Sequence, residues 1–188
     1  MNWRGLFALA HLADSSPLNQ EEIMAKRGAW LLVAAMSKHS DASLQGQACE
    51  TIYRLCMNSI ANQTILGQSI LDSVLSALKN HATDASVQTW GLRTLTVLCL
   101  QHGANQDAIG GTGMQLILSA MTALLHDENV QVAATWALAG LVADNQSNLI
   151  KLQAMEGEEI IEGVLKAHPT DLILQQQGEE ILSCLREL

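Results

Sequence analysis

The 188-residue chain carries a net charge of −9; 48% of it is apolar, yet only 3% is Phe, Trp or Tyr. Such acidity argues against nucleic acid as the main ligand, which ordinarily needs a basic face. No apolar run approaches the roughly 18 to 20 residues that a helix needs to cross a membrane, and the length suits one domain.

The first segment, MNWRGLFALAHLA, has Gly5, Leu9 and Leu12 three and four residues apart, on one stripe of an α-helix. Arg4 before an apolar stretch and small residues also has the outline of a signal peptide. Pro17 and Asn19 nevertheless continue a register that later segments repeat, which favours a folded helix. Asn19 reads as the N-cap of a short helix with Ile23 as its apolar contact. A Gly-containing break and a longer helix ending near Met36 follow. His39 and Ser40-Asp41 close the unit, with Asp41 suited to cap the next helix.

Leu44-Gln45 then restarts the pattern. An apolar residue followed by Gln recurs at Leu44, Val87, Val130 and Leu174, at intervals of 43, 43 and 44 residues, and counting back 43 from Leu44 reaches Met1. In each unit the fifth position is small (Gly5, Ala48, Gly91, Ala134, Gly178), which lets another helix approach closely. The ninth is aliphatic (Leu9, Ile52, Leu95, Leu138, Leu182), as is the twelfth (Leu12, Leu55, Leu98, Leu141, Leu185). Asn62, Asn105 and Asn148 repeat Asn19, and Leu66, Ile109 and Leu152 repeat Ile23. The second helices end near Leu78, Met121 and Leu165. A period of this length marks stacked helical units that bury a shared core. Pro17 and Pro169 both fall between helices, where a missing N–H does least harm.

The stretch Val130–Leu152, VQVAATWALAGLVADNQSNLIKL, carries an apolar-Gln start, an Ala-Ala pair, a Trp-Ala-Leu core and a loop Asn. It resembles the armadillo repeat, and the similarity covers essentially all 188 residues. The resemblance implies an all-α fold: a right-handed armadillo/HEAT-like α-solenoid of about four three-helix repeats. The units are 1–43, 44–86, 87–129 and 130–173, with 174–188 as a capping helix. It further implies that the third helix of every repeat lines a concave groove where extended peptides bind. Proteins of this family serve as nuclear-import adaptors, junction and signalling scaffolds, co-chaperones and regulatory arms of kinases.

On the third helices, the face opposite the core stripe carries Arg4, Phe7 and His11, then Gln47, Glu50 and Arg54. Trp90, Arg93 and Val97 follow, then Ala133, Trp136 and Gly140. Four of the five arginines (Arg4, Arg54, Arg93, Arg186) lie on third helices, from which lysine is absent. Aromatics beside Arg make good anchors, because they desolvate cheaply and guanidinium groups stack or pair bidentately. The expected partner is a protein or extended peptide with apolar and acidic anchors. The alternative is that Trp90 and Trp136 pack between units and the arginines are solvated. Nuclear-import adaptors pair a groove Trp with an Asn four residues later; Trp136 matches the first, but Gly140 stands at the second. His11, Arg54, Val97 and Cys184 occupy that place elsewhere, so a basic nuclear-localisation cargo is not expected.

Residues that could suggest chemistry have simpler readings. His39, His81, His126 and His168 recur at the end of the second helices. Neighbouring units stand about 8–10 Å apart, too far for imidazoles to share an ion at about 2 Å. Free helix-terminal carbonyls are their natural partners. Gly110-Gly111-Thr112-Gly113 has no preceding strand and no Gly-Lys-Ser/Thr, so it reads as a turn. Glu158 and Glu159 read as a solvated helix start. No Ser-His-Asp or Cys-His pairing has supporting context, and neither enzyme activity nor a cofactor is expected. Cys49, Cys56, Cys99 and Cys184 show no CxxC spacing. Cys56 and Cys99 share a column with Ala13 and Val142, which implies reduced thiols and a cytoplasmic or nuclear setting.

The two ends differ. Glu179 and Arg186 replace residues that are apolar or small in earlier units, as suits a polar cap. The first helix keeps Leu6, Phe7, Leu9 and Leu12. Either further repeats precede Met1 or this end associates with another molecule, a second copy included. The function expected is a non-enzymatic protein-interaction scaffold or adaptor. The alternative is a regulatory module, either a chaperone cofactor of the nucleotide-exchange type or the arm of a multidomain enzyme.

Overall fold

The structure, a computed structural model, describes residues 3–100 and 102–188, with Trp3 through its backbone alone. Met1, expected to open the first unit, lies outside the described residues. Those residues form twelve α-helices and no strand: α1 (Trp3–Ala13), α2 (Pro17–Ala25), α3 (Gly28–Lys38), α4 (Ala42–Cys56), α5 (Ile60–Asn80), α6 (Ala85–Cys99), α7 (Gly103–Ile109), α8 (Thr112–Ala123), α9 (Glu128–Val142), α10 (Gln146–Ala154), α11 (Gly157–Ala167) and α12 (Leu172–Arg186). None is long and apolar enough to cross a membrane.

The helices form two layers. In one, α1, α4, α6, α9 and α12 pack each on the next; in the other, α3, α5, α8 and α11 do so, and each also packs on the long helix that follows it. One continuous core runs between the layers. It contains the whole ninth and twelfth columns from Ile52 and Leu55 to Leu182 and Leu185. The small fifth position does what its size suggests. A Cβ on Gly91 would lie 2.6 Å from Leu78 Cδ2, and one on Gly178 equally close to Leu165 Cδ2, so each leucine nests over a glycine of the adjoining helix. The first helix departs from the pattern. Leu12 is 55% exposed and Leu9 half-buried, because no helix equivalent to α3 or α5 covers that stripe among the described residues.

The recurring Gln acts as a clasp. Gln45, Gln88, Gln131 and Gln175 each donate through Nε2 to two carbonyls at the end of the preceding second helix, for Gln88 those of Leu78 (2.8 Å) and His81 (2.9 Å). Each clasp supplies a donor to carbonyls at a helix end, where intrahelical partners run out; those of His81, Leu124 and His168 also accept the N–H of Asp84, Asp127 and Asp171. Asp41, Asp84, Asp127 and Asp171 cap the long helices as expected, accepting the N–H of Leu44, Val87, Val130 and Leu174 at 2.9–3.1 Å.

The recurring Asn was expected to cap the short helices, and here the structure corrects the sequence reading. The N-caps are Ser16, Ser59, His102 and Asn145, and the Asn sits three residues inside. In Asn62, Asn105 and Asn148 the amide is buried and points backward. Asn105 Nδ2 donates to Leu98 O (2.9 Å) and across the unit boundary to Gln63 O (3.2 Å); Asn148 Nδ2 donates to Leu141 O and Gln106 O, both at 3.0 Å. The neighbouring Gln bridges units as well: Gln20 reaches Arg54 O, and Gln106 reaches Gly140 O and Ala143 O. Room for the Asn comes from glycine, since a Cβ at Gly67 would sit 2.6 Å from Asn105 Nδ2 and one at Gly110 2.6 Å from Asn148 Cγ.

A second correction concerns unit 44–86, where no break separates the short and second helices. They fuse into the 21-residue α5. Elsewhere the second helix starts with a glycine pressed against the short helix, as Gly28 is on Ile23 (2.7 Å to a built Cβ) and Gly157 on Leu152 (2.7 Å to Cγ). The residues before these two, Arg27 and Glu156, take left-handed φ values of 65° and 59°. Unit 44–86 has Ile70 and Leu71 in that place, and a side chain there forbids the tight corner, so the helix runs on.

Candidate partner-binding surface

The expected groove residues lie on α1, α4, α6 and α9, and part of the set forms one connected cluster. Arg54 is its centre. Its Nε and Nη2 hold Glu50 Oε1 at 3.0 and 2.8 Å, its Nη1 reaches Asp14 Oδ2 at 2.6 Å, and Gln47 Nε2 donates to Glu50 Oε2 at 2.8 Å. Partial burial works against the charge of Arg54, but the bonds from Glu50 and Asp14 outweigh it and hold the guanidinium above its ordinary value. Trp90 joins the cluster from α6. Its ring lies beneath the guanidinium groups of Arg93 (5.0 Å) and Arg54 (5.9 Å) and 5.9 Å from the ring of Tyr53. Each guanidinium is attracted by the indole face, which helps to hold the ring in place.

Two expected anchors are corrected by burial. Val97 is 4% exposed and belongs to the core, and Glu50 is 9% exposed and engaged by Arg54 and Gln47. With Asp14 also engaged, the Arg54 charge is met from within the chain. Among the described residues no carboxylate pairs with Arg93, so it is the arginine of the cluster suited to an acidic ligand. Trp136 on α9, at the position equivalent to Arg93, is 44% exposed, with the small Gly140 one turn further on. On α1, Phe7 is 45% exposed and stacks on His11 with ring centroids 4.0 Å apart, while His11 Nδ1 donates to Phe7 O at 2.9 Å; Arg4 is exposed. Tyr53 and Asp14 were missed by sequence reasoning, since neither belongs to the chosen helix face.

Elsewhere the sequence readings meet particular partners. His168 Nε2 donates to Leu125 O at 2.6 Å, a carbonyl of the preceding unit. Glu158, at the solvated start of α11, also binds Arg186 Nε at 3.0 Å while Glu162 binds Nη2 at 3.0 Å, which ties α12 to α11. These bonds, the one from Glu158 foremost, raise the Arg186 pKa. Gly110 and Gly111 form the turn between α7 and α8 as expected. Cys49, Cys56 and Cys99 are buried and Cys184 exposed. Burial pushes the thiols of Cys49 and Cys99 up to about 12, and that of Cys56 upward too, so all three stay protonated and inert.

No protein-family model matches the chain, and no curated protein does. Among solved structures it is similar to the crystal structure of an engineered protein that was a Northeast Structural Genomics Consortium target. The identity is 20%, the TM-score 0.85, and the match covers 98% of this chain and 73% of that one. At that identity the likeness is one of fold, and the two chains share an all-helical architecture.

Proposed function

We propose that the chain is an armadillo-type solenoid acting as a non-enzymatic interaction scaffold, with its third helices α1, α4, α6 and α9 forming the partner surface. The observation that carries this reading is that Trp136, an exposed indole on α9, and Arg93, held on Trp90, take equivalent positions on helices packed side by side. An exposed large aromatic and a stacked guanidinium on neighbouring helices have the composition of an interface hot spot. The partner is an extended segment that offers an apolar side chain to Trp136 and a carboxylate to Arg93. Glu50 and Asp14 already occupy Arg54, so the acidic requirement is narrower than a row of arginines suggests.

Selection from a random displayed peptide library is expected to enrich sequences with an acidic residue near an apolar one. Trp136→Ala or Arg93→Ala should then weaken the best peptide at least about tenfold in fluorescence polarisation, with the far-UV spectrum unchanged. Equal binding by wild type and both folded variants would remove this surface from consideration.

A second contact surface is part of the proposal. Leu12 stands exposed where its equivalents are buried, which supports self-association through α1. Sedimentation velocity from about 1 to 100 μM should show a concentration-dependent shift that Leu12→Glu abolishes.

A further inference from the structure

The caps of the three short helices and of α5 are Ser16, Ser59, His102 and Asn145, and one of these is an imidazole, a ring whose two nitrogens can each carry a proton. His102 Nδ1 accepts the backbone N–H of Asn105 at 3.3 Å, so that nitrogen carries no proton. The proton therefore sits on Nε2, which donates to Thr64 Oγ1 at 2.9 Å; the Thr64 hydroxyl in turn donates to Ile60 O at 3.0 Å. The chain of donors and acceptors from Asn105 to Ile60 is complete with a neutral ring and has no place for a second proton.

We infer that His102 is a pH-sensitive latch joining α5 to α7, closed when its imidazole is neutral and released when Nδ1 takes a proton. A proton from solvent on Nδ1 sets two donors, N–H and N–H, against each other and adds positive charge at the positive end of the α7 dipole. Both effects oppose the cap. The ring has space to leave, since it borders a cavity of about 300 Å³ between α5 and α7 that is also lined by Gly67, Asp72, Ala104 and Asn105. The charged groups on the elements around it are Asp72 and Lys79 on α5, Asp107 on α7, Arg93 on α6, Glu128 on α9 and Asp144 just after it; α8 contributes none. No ion pair joins any of them to the imidazole among the described residues, and Asp107 is bonded to Asn145. Release would reach beyond α7. Gln106 on that helix donates to Gly140 O and Ala143 O, and its own carbonyl accepts from Asn148, so α7 braces the joint between units 87–129 and 130–173. The latch stands independently of the partner surface proposed above.

Amide exchange measured by NMR on the whole chain, corrected for intrinsic rates, tests this directly. Between pH 8 and 5.5 the protection of the α7 amides is expected to fall about fivefold relative to α11, the loss that removing one N-cap entails. His102→Asn, which supplies the cap used at Asn145, should hold that ratio constant. Nitrogen shifts of the wild-type ring at pH 8 give a readout that needs no variant: an unprotonated Nδ1 is expected. Identical pH profiles for the two proteins, or an Nδ1–H tautomer at pH 8, would overturn the latch.

Discussion

Asn148→Ala and Gly110→Ala, made singly, are each expected to destabilise the fold by about 2–4 kcal/mol, and made together by at least about 1 kcal/mol less than their sum. Asn148 is fully buried, and its amide holds two carbonyls in different units, Leu141 O and Gln106 O. Truncation takes the Asn148 donor from Leu141 O, leaves Gln106 O with the Gly110 N–H alone and opens a small void, and losses of this kind reach this size. Gly110 has φ −60°, an ordinary right-handed conformation, so Ala there is unstrained and would normally stabilise slightly. Its methyl, however, would occupy the space of the Asn148 amide, with Cγ only 2.6 Å away. The side chain must leave and its bonds break. Once Asn148 is already Ala, the methyl at 110 enters the vacated space at little further cost. Urea unfolding of the four proteins of this cycle measures the coupling. Strict additivity would mean that glycine and asparagine do not form one joint.

The second large effect separates two residues of the same sequence column. Leu98→Ala is expected to cost about 3–5 kcal/mol, since Leu98 is fully buried in the middle of the core and deletion leaves a cavity. Leu12→Ala, compared with wild type at concentrations too low for α1 to self-associate, is expected to change stability by no more than about 0.5 kcal/mol, because that leucine is largely in water. Denaturant midpoints for the two variants, read against an unchanged m-value, check the contrast. A cost above about 2 kcal/mol at Leu12 would show that α1 is covered by more than the packing described.

Helix faces were legible in the sequence, while partners across elements were not. Spacings of three and four identify the stripe that Leu55, Leu98 and Leu141 share, and a period of 43 locates each unit, because helical geometry converts spacing into direction. The same spacing does not say what a polar column binds. Asn62, Asn105 and Asn148 suit a cap by residue type, yet their amides turn back to carbonyls of the preceding helix and, for Asn105 and Asn148, of the preceding unit. The actual caps went unnoticed because Ser16, Ser59, His102 and Asn145 are three different residue types and leave no column. Fusion of α5 was readable in principle, since a glycine present at Gly28, Gly113 and Gly157 is missing from that unit. In the candidate surface, exposure of Phe7 and Trp136 follows from helical phase. The neutralisation of Arg54 does not, because Asp14 approaches from the end of another helix 40 residues earlier in the chain.

An uninterrupted α5 has a mechanical meaning. At 21 residues it is a shaft roughly 30 Å long, with Thr64 near one tip and the His81 carbonyl, clasped by Gln88, just past the other. In the remaining units a glycine corner absorbs movement between the short helix and the helix after it, as a jointed rod does. A tug on the Thr64 end is instead delivered undamped to the opposite rim, so motion imposed on this edge of the molecule should travel furthest through unit 44–86.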